Sequence, residues 1–343
     1  VGSGEPRIDF SSDAKGALKL EPAKTNLFLT SASGVYGSSP ASETNTISPD
    51  GTLNAVIPTP DTTSNRYQYD VSSGTYATNT KLAYSWYRKR ISTPIDTSHI
   101  GDLHIKSLSN ASQVGSTTQI ESDVNGFDRF QAVLNITDGS LPSIIRGYFG
   151  GVVGIGNSSV AYFGHQMELG DFSTSYIPTS GSVKTRIADA CSNGANEQVI
   201  NSTEGVLYAE ISALADDGTN RYISLKNNTT VDIIRIGYIT SSNRIVIENY
   251  KSGALFNLFN YEVQDVKTNS KIAFKWKDND FQLYINGLNV LSNTSVTAWG
   301  SGVFQSLQFD QHNGGNDFYG NTKDLRVYNT ALTDAELQAL TTI

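Results

Sequence analysis

Paired carboxylates are the residues of this sequence that could act as acid and base on a glycosidic bond. A retaining sugar hydrolase needs two carboxyl groups about 5–5.5 Å apart, and on one strand of a β-sandwich they follow a Glu-x-Asp-x-(x)-Glu pattern. Glu121 and Asp123 have the first spacing but lack the third carboxylate. Glu262 and Asp265 have the wrong period to share a strand face, and Glu248 stands alone in its segment. The spacing therefore predicts that the chain is not an enzyme of this kind.

Other catalytic and metal-binding patterns are equally weak. His99 and His104 are five residues apart, but a metal site needs further ligands at fixed spacing, so we interpret both as ordinary surface or core histidines. The sequence contains no Gly-x-Ser-x-Gly elbow and no phosphate-binding loop. The single cysteine, Cys191, excludes an intramolecular disulfide and a Cys₄ zinc site. A polysaccharide lyase with a Tyr or His base has no compact motif and stays open.

Polar and aromatic residues beside predicted turns are candidates for carbohydrate binding, which uses exposed rings and hydrogen-bonding side chains. Residues 309–319 contain a Gly-Gly turn surrounded by six polar candidates: Asp310, Gln311, His312, Asn313, Asn316 and Asp317. Trp299 lies among small residues and is a candidate stacking platform. The alternatives are a loop whose composition serves only the turn, and a ring that caps the core edge.

A second aromatic candidate lies in the first half of the chain. Tyr84, Trp86 and Arg88 alternate within an apolar run, so they share one face of a predicted strand. That face is either a carbohydrate platform or the core face. Trp276 ends a similar alternating run, and we predict that it lies in the core.

Composition bounds the kind of protein. The chain has 343 residues, of which 38% are hydrophobic and 17% charged, so we expect two globular domains of about 100–200 residues each. A net charge of −8 argues against nucleic-acid binding and favours a neutral over an anionic glycan. No apolar run reaches the ~20 residues that insertion into a membrane requires. The start at Val1 without Met indicates a processed chain or a fragment.

Alternating apolar and polar residues predict strands through most of the chain. The strands predicted most clearly are 81–90, 130–136, 160–169, 206–211, 222–225, 233–238, 244–250 and 271–276. Asn286 and Gly287 separate two alternating runs and predict a type I′ hairpin. Thr333 and Glu336 form a capping-box pattern, which predicts a two-turn helix near the C-terminus. We therefore predict an all-β fold of two tandem antiparallel sandwiches, 1–182 and 183–343, with a short C-terminal helix.

The second half resembles a known family. The run Asp324-Leu-Arg-Val-Tyr-Asn-Thr-Ala-Leu-Thr-Asp-Ala-Glu-Leu337, preceded by Phe318-Tyr-Gly-Asn, is similar to the closing phrase of concanavalin-A-like and laminin-G-like domains. The hairpin Leu283-Tyr-Ile-Asn-Gly287 resembles another phrase of the same family. Thr322 departs from the family pattern, which has a hydrophobic residue there. The resemblance covers about residues 196–343.

The first half resembles a different module. Residues 6–10, 18–27 and 48–51 are similar to the opening of a carbohydrate-binding-module-like jelly roll found in the tail and fibre proteins of tailed bacteriophages. The closing phrase of that module matches Phe163-Gly-His-Gln-Met-Glu-Leu-Gly-Asp-Phe-Ser-Thr-Ser-Tyr-Ile-Pro-Thr179. Phe163 stands where the module usually has Trp.

The two resemblances together imply a non-catalytic, carbohydrate-binding or adhesion component of a phage particle: a fibre, an appendage or a receptor-binding protein. Its implied partners are host cell-surface polysaccharide and other virion proteins, its location is the extracellular virion, and fibre proteins are often trimers. Both families often hold a structural calcium ion, and Glu168 and Asp324 occupy positions of the family phrases that lie near such sites in some relatives. Each could instead make a structural salt bridge. The alternatives are a structural virion protein without glycan binding and a polysaccharide-degrading enzyme.

Overall fold

The computed structural model describes residues 7–10, 14–31, 43–57, 66–90, 104–107, 118–136, 142–150, 160–229 and 231–343. The first thirteen strands are β1 (Ile8–Asp9), β2 (Ala17–Leu20), β3 (Lys24–Asn26), β4 (Glu43–Thr46), β5 (Ala55–Ile57), β6 (Arg66–Thr75), β7 (Lys81–Arg90), β8 (His104–Ser107), β9 (Thr118–Val124), β10 (Phe127–Asn135), β11 (Pro142–Gly150), β12 (Val160–Leu169) and β13 (Lys184–Arg186). The remaining elements are β14 (Glu204–Ala213), β15 (Arg221–Lys226), β16 (Ile233–Tyr238), β17 (Arg244–Lys251), β18 (Ala254–Glu262), β19 (Ser270–Lys277), β20 (Phe281–Ile285), β21 (Leu288–Asn293), β22 (Ser306–Gln308), β23 (Gly320–Tyr328) and the helix α1 (Asp334–Thr341). The predicted all-β class with a short C-terminal helix is confirmed.

The chain forms two compact units. One, here called the C-terminal unit, comprises residues 1–22 and 188–343, and the other, the N-terminal unit, comprises residues 23–187. The sequence boundary placed residues 1–22 with the first half of the chain, whereas the structure groups them with the second half.

The C-terminal unit has two antiparallel sheets. The larger has the order β1-β2-β23-β14-β19-β20-β21 and the smaller has the order β18-β17-β16-β15-β22. Both sheets contribute alternate residues to one core, for example Leu207 and Phe274 from the larger sheet and Ile223, Ile236 and Ile247 from the smaller. Because side chains alternate along a strand, the residues between these core positions face the other side of each sheet.

Strand β2 explains why the first residues belong to the C-terminal unit. It pairs with β23 through Leu18 and Thr322, and Leu20 is buried in the core of that unit. The buried carboxylate of Glu21 lies 3.5 Å from the Arg7 guanidinium, and the backbone N–H of Glu21 donates to Asp189 at 2.9 Å. The strand that pairs with β2 lies about 300 residues away in the sequence, so local sequence does not reveal the pairing.

Two local predictions in the C-terminal unit are confirmed. Asn286 and Gly287 both have positive φ, 50° and 83°, as a type I′ turn between β20 and β21 requires. Helix α1 begins after Thr333, whose hydroxyl accepts from the N–H of Glu336 while the Glu336 carboxylate accepts from the N–H of Thr333. Trp276 is buried in the core, as predicted.

The N-terminal unit contains a six-stranded sheet of order β4-β5-β12-β7-β10-β9, together with a three-stranded sheet of order β6-β11-β8 and the pair β13-β3. Strand β7 lies between β10 and β12 in the larger sheet. One face of this sheet buries an aromatic cluster that includes Tyr84, Trp86 and Phe130. The opposite face carries a separate cluster that includes Tyr87 and Phe163.

Candidate functional site

The outer face of the five-stranded sheet carries a group of charged and aromatic residues. Ile223, Ile236 and Ile247 point into the core, so Tyr222 on β15 and Arg235 on β16 project from the opposite face. The register places Arg235 opposite Glu248 of β17. Strand pairing thus brings together residues that are 13 positions apart in the sequence.

Arg235 lies at the centre of this group. Its guanidinium carbon is 4.4 Å from the ring centre of Tyr222 and 4.9 Å from that of Tyr250, and its Nη2 donates to the Tyr250 hydroxyl at 3.0 Å. Its Nε donates to the Glu248 carboxylate. A planar guanidinium between two rings and a carboxylate is held in one orientation. We call Tyr222, Arg235, Glu248 and Tyr250 the arginine platform.

Gly237 makes room for the Tyr222 ring. It is the residue paired with Tyr222 across the two strands, and a Cβ at this position would lie 1.9 Å from the Arg221 carbonyl oxygen and 2.8 Å from a Tyr222 ring atom. Burial, together with the nearby Glu248 carboxylate, raises the pKa of Tyr222 to about 12. Tyr222 is therefore a neutral phenol over the physiological pH range, and the platform retains one cation and one carboxylate.

The loop of residues 309–319 adjoins the arginine platform. Its ends are fixed in the core by Phe309 and Phe318, whose rings are 6.2 Å apart, and the Phe318 N–H donates to the Phe309 carbonyl at 2.8 Å. The Tyr222 N–H donates to the Asn316 carbonyl at 3.1 Å, and the backbones of Asp317 and Tyr222 form an isolated parallel β-bridge. The structure thus places the predicted polar loop beside the platform.

Hydrogen bonds within the loop order its tip. The Gln311 side chain donates to Asn313 Oδ1 at 2.9 Å and accepts from Asn316 Nδ2 at 2.5 Å. Asp310 accepts from the His312 N–H at 2.5 Å, and Asp317 accepts from the Tyr319 hydroxyl at 2.8 Å. The composition therefore serves the turn, as one of the two sequence interpretations held, but Asn313 and Asn316 remain exposed.

His312 connects the loop electrostatically to the sheet. It has the unusual φ of 113°, and its Nδ1 is buried without a hydrogen-bond partner among the described residues. Burial and the positive charges of Arg235 and Lys226 lower the pKa of His312, which Asp310 opposes. His312 is consequently neutral at pH 7.

Trp299 is not the exposed stacking platform that we considered. Only 3% of its surface is exposed, and its ring packs against Phe256, Phe281 and Phe304 at 4.8–6.0 Å between centres. Its Nε1 donates to the Tyr250 carbonyl at 3.0 Å. The small neighbours in the sequence allow the ring to turn inward, where it supports the strand that carries Tyr250. Trp299 therefore positions the platform from within the core.

Tyr84 and Trp86 also lie in a core and not on a binding surface. Both are 0% exposed, and their rings are 5.3 Å apart. Arg88 is half-buried and its guanidinium lies 3.9 Å from the ring centre of Phe130. The shared strand face was correct, but it is the core face, so these three residues form no platform for a sugar.

Glu168 does not fit a calcium site. Its Oε2 accepts from Gln166 Nε2 and from the Thr174 N–H, both at 2.8 Å, and its Oε1 accepts from the Thr174 hydroxyl at 2.5 Å. Gln166 Oε1 also accepts from the Ile177 N–H at 2.6 Å. Hydrogen-bond donors face both carboxylate oxygens, whereas a calcium ion needs free oxygen ligands there. Gln166 and Glu168 instead fasten the segment after β12 to the sheet.

The second proposed calcium ligand makes a salt bridge. Asp324 accepts from Arg326 Nε at 3.1 Å and lies 2.5 Å from its Nη2, which is the alternative that the sequence left open. Among the described residues, no group of three or more His, Cys, Asp or Glu side chains could hold a metal ion. His99 and the side chain of His104 lie outside the described residues.

Glu121, one of the carboxylates considered for catalysis, is paired with the buried Arg129 at 3.0 Å. Arg129 also donates to the Thr174 carbonyl at 2.7 Å. This places Glu121 in the network that secures residues 173–177.

Within the part of the chain that the structure describes, no helix is long and apolar enough to cross a membrane.

Two facing antiparallel sheets, with a polar platform outside the smaller one, define the C-terminal unit as a lectin-like β-sandwich. The family model of the concanavalin A-like lectin/glucanases superfamily matches residues 195–338. The motifs at 283–287 and 318–337 lie within this matched region, so the second half of the chain is similar to that superfamily, as those motifs predicted.

Several solved structures are similar to parts of the chain at low sequence identity. A heptameric SAP-like pentraxin from Limulus polyphemus is 14% identical over 42% of this chain and 72% of its own, with a TM-score of 0.34. Sheep galectin-11 in complex with glycerol is 11% identical over 40% and 94%, with a TM-score of 0.28. Domains LG4-5 of the mouse laminin alpha1 chain are 9% identical over 97% and 96%, with a TM-score of 0.30. No curated protein sequence matches the chain significantly.

Sequence reasoning missed the arginine platform. Arg235 lies in an apolar run, Ile233-Ile-Arg-Ile236, and Glu248 stands alone in another. A charge inside a strand of isoleucines indicates that one face is polar, and this signal was available. The sequence does not reveal the partners of Arg235, because they are set by strand order and register.

Proposed function

We propose that this chain is a non-catalytic carbohydrate-binding protein that contacts glycans with the arginine platform and the loop of residues 309–319. The observation that carries the proposal is Arg235, which two tyrosines and Glu248 hold in one orientation at the outer face of a lectin-like sandwich, with 9% of its surface exposed. Sugar hydroxyls are recognised by such fixed polar groups. Asn313 and Asn316 add exposed amides at the edge of the platform.

The platform favours binding over hydrolysis. Glu248 is held by Arg235 and by the Tyr222 hydroxyl, and hydrolysis requires a second carboxylate about 5–10 Å away on the other side of the bond. Asp310 and Asp317 of the adjoining loop are engaged with His312 and Tyr319. A carboxylate that already accepts from a guanidinium serves to orient that guanidinium for ligand recognition.

The biological setting that we propose follows from the module phrase of residues 163–179. The chain serves as a fibre, appendage or receptor-binding component of a phage particle, on the extracellular virion, where it binds host cell-surface polysaccharide and other virion proteins and assembles as a trimer. Immunogold labelling with an antibody against this chain, on phage particles whose genome encodes it, tests that setting. Intact particles without label contradict the virion setting, and they leave the glycan-binding proposal to its own test.

A glycan array followed by titration calorimetry tests the binding proposal. We expect Arg235→Met to weaken binding of the recognised glycan at least tenfold, because a charge-assisted hydrogen bond contributes about 1.5–3 kcal/mol. Arg244→Gln is the matched control, since Arg244 lies on the same sheet but pairs with the largely exposed Glu262. Equal affinities of the wild type and the Arg235 variant, both folded, would refute the assignment of the site.

A further inference from the structure

Lys226 is a cation that lies beside the arginine platform and has no ion pair with any residue that the structure describes. It ends β15 and shares the outer face with Tyr222 and Ser224. The neighbouring cations have carboxylate partners: Arg221 lies 2.8 Å from Asp217, and Arg235 is paired with Glu248. Among the described residues, the half-buried Lys226 ammonium has no ion pair or hydrogen bond of its own.

Ser224 supplies an unsatisfied donor next to this cation. The register places it between Arg235 and Gln308. It is 0% exposed, and its Oγ has no hydrogen-bond partner among the described residues. Native proteins rarely leave a buried hydroxyl unpaired, so this position is suited to a ligand oxygen that completes its hydrogen bonding.

The local charge around these two residues is positive. Both Lys226 and Arg235 act on His312 in the adjoining loop, so their fields extend to the edge of the platform. Glu248 neutralises Arg235, whereas no carboxylate in the described part of the chain pairs with Lys226. Asp310 already accepts a hydrogen bond from the His312 N–H.

We propose that Lys226 and Ser224 form a subsite for an acidic substituent, either a carboxylate or a sulfate ester, on the glycan that the platform binds. The anionic oxygens accept from the Lys226 ammonium and the Ser224 hydroxyl. The proposal rests on the proposed function and specifies its ligand class. It replaces the expectation of a neutral glycan, which was based on the net charge of −8. Salt screens the repulsion between an anionic ligand and distant carboxylates, so the attraction to a cation within the site decides the preference.

The test is an array that presents each oligosaccharide backbone in neutral, carboxylated and sulfated form, followed by calorimetry on the bound members. We expect the wild type to bind an acidic member at least tenfold more tightly than its neutral counterpart at low salt. Lys226→Gln removes this preference and leaves the neutral affinity within about twofold, and Ser224→Ala weakens only the acidic member. Lys267→Gln is the control, since Lys267 is exposed and lies 3.7 Å from Asp265.

Each outcome decides between the two proposals. If the wild type prefers neutral members, or if Lys226→Gln weakens neutral and acidic members equally, the acidic subsite is refuted while glycan binding stands. If the wild type binds no member, both proposals are overturned. Thermal unfolding of each variant confirms that it is folded, and the carboxylated and sulfated arms identify which anion the subsite takes.

Discussion

His165 makes the N-terminal unit sensitive to acid. Its ring is completely buried, its Nδ1 is 2.7 Å from the Tyr84 hydroxyl, and the Phe28 ring lies 6.2 Å away. Burial disfavours the charged imidazolium and lowers the pKa of His165 to about 3. The folded state thus holds the neutral ring, whereas an unfolded histidine has a pKa of about 6.5.

The sign and size of the effect follow from proton linkage. Because the folded pKa is depressed, the contribution of His165 is fully present above pH 6.5 and is lost progressively as the pH falls towards 3. At pH 4 the unfolded histidine is protonated and the folded one is not, which removes about 3 kcal/mol from the free energy of unfolding relative to pH 7. This is a large share of the stability of an ordinary domain.

Urea unfolding at pH 7 and pH 4 measures this loss, and hydrogen exchange of the amides in β7 and β12 assigns it to the N-terminal unit. His165→Gln cannot gain the proton, so we expect it to lose about 3 kcal/mol less than the wild type between the two pH values. His312→Gln, in the other unit, leaves exchange in β7 and β12 unchanged. Equal losses in the wild type and His165→Gln would refute the reasoning.

Two further predictions concern stability. Glu168→Ala leaves the Thr174 N–H and hydroxyl without their acceptor, so we expect urea titration to show a free energy of unfolding about 3 kcal/mol lower. Glu168→Gln keeps one acceptor oxygen and costs less. An unchanged free energy of unfolding in the alanine variant would show that the carboxylate does not fasten this segment. Removal of residues 1–22 uncovers the edge of β23 and the core site of Leu20, so the shortened chain melts at a lower temperature and aggregates in size-exclusion chromatography; an unchanged melting temperature would contradict this role of β2.

Part of the fold follows from short stretches of sequence. The hairpin at Asn286 and Gly287 depends on two residues that tolerate positive φ, and the start of α1 depends on Thr333 and Glu336, which are three positions apart. Both features are local, so the residues that determine them are neighbours. The same holds for β7, β12 and β16, whose ends agree with the predicted ones.

The candidate site was less accessible to sequence reasoning. Alternation correctly placed Tyr84 and Trp86 on one face of a strand, but a pattern of period two does not say which face is covered. For Trp299 the sequence left two interpretations, an exposed stacking ring and a ring that caps the core edge, and the structure encloses it among the rings of Phe256, Phe281 and Phe304. The polar residues of the loop at 309–319 were identified, whereas their neighbour, Arg235, was not.

By itself the sequence determined the all-β class, the lectin-like family of the second half, the hairpin and the helix cap, because each depends on local spacing or on a contiguous phrase. Only the tertiary structure decided that residues 1–22 complete the sheet of the C-terminal unit, that the aromatic candidates are core residues, and that Arg235 lies between two tyrosines and Glu248. These features depend on strand order, register and burial, which are set only when segments distant in the sequence pack around a common core.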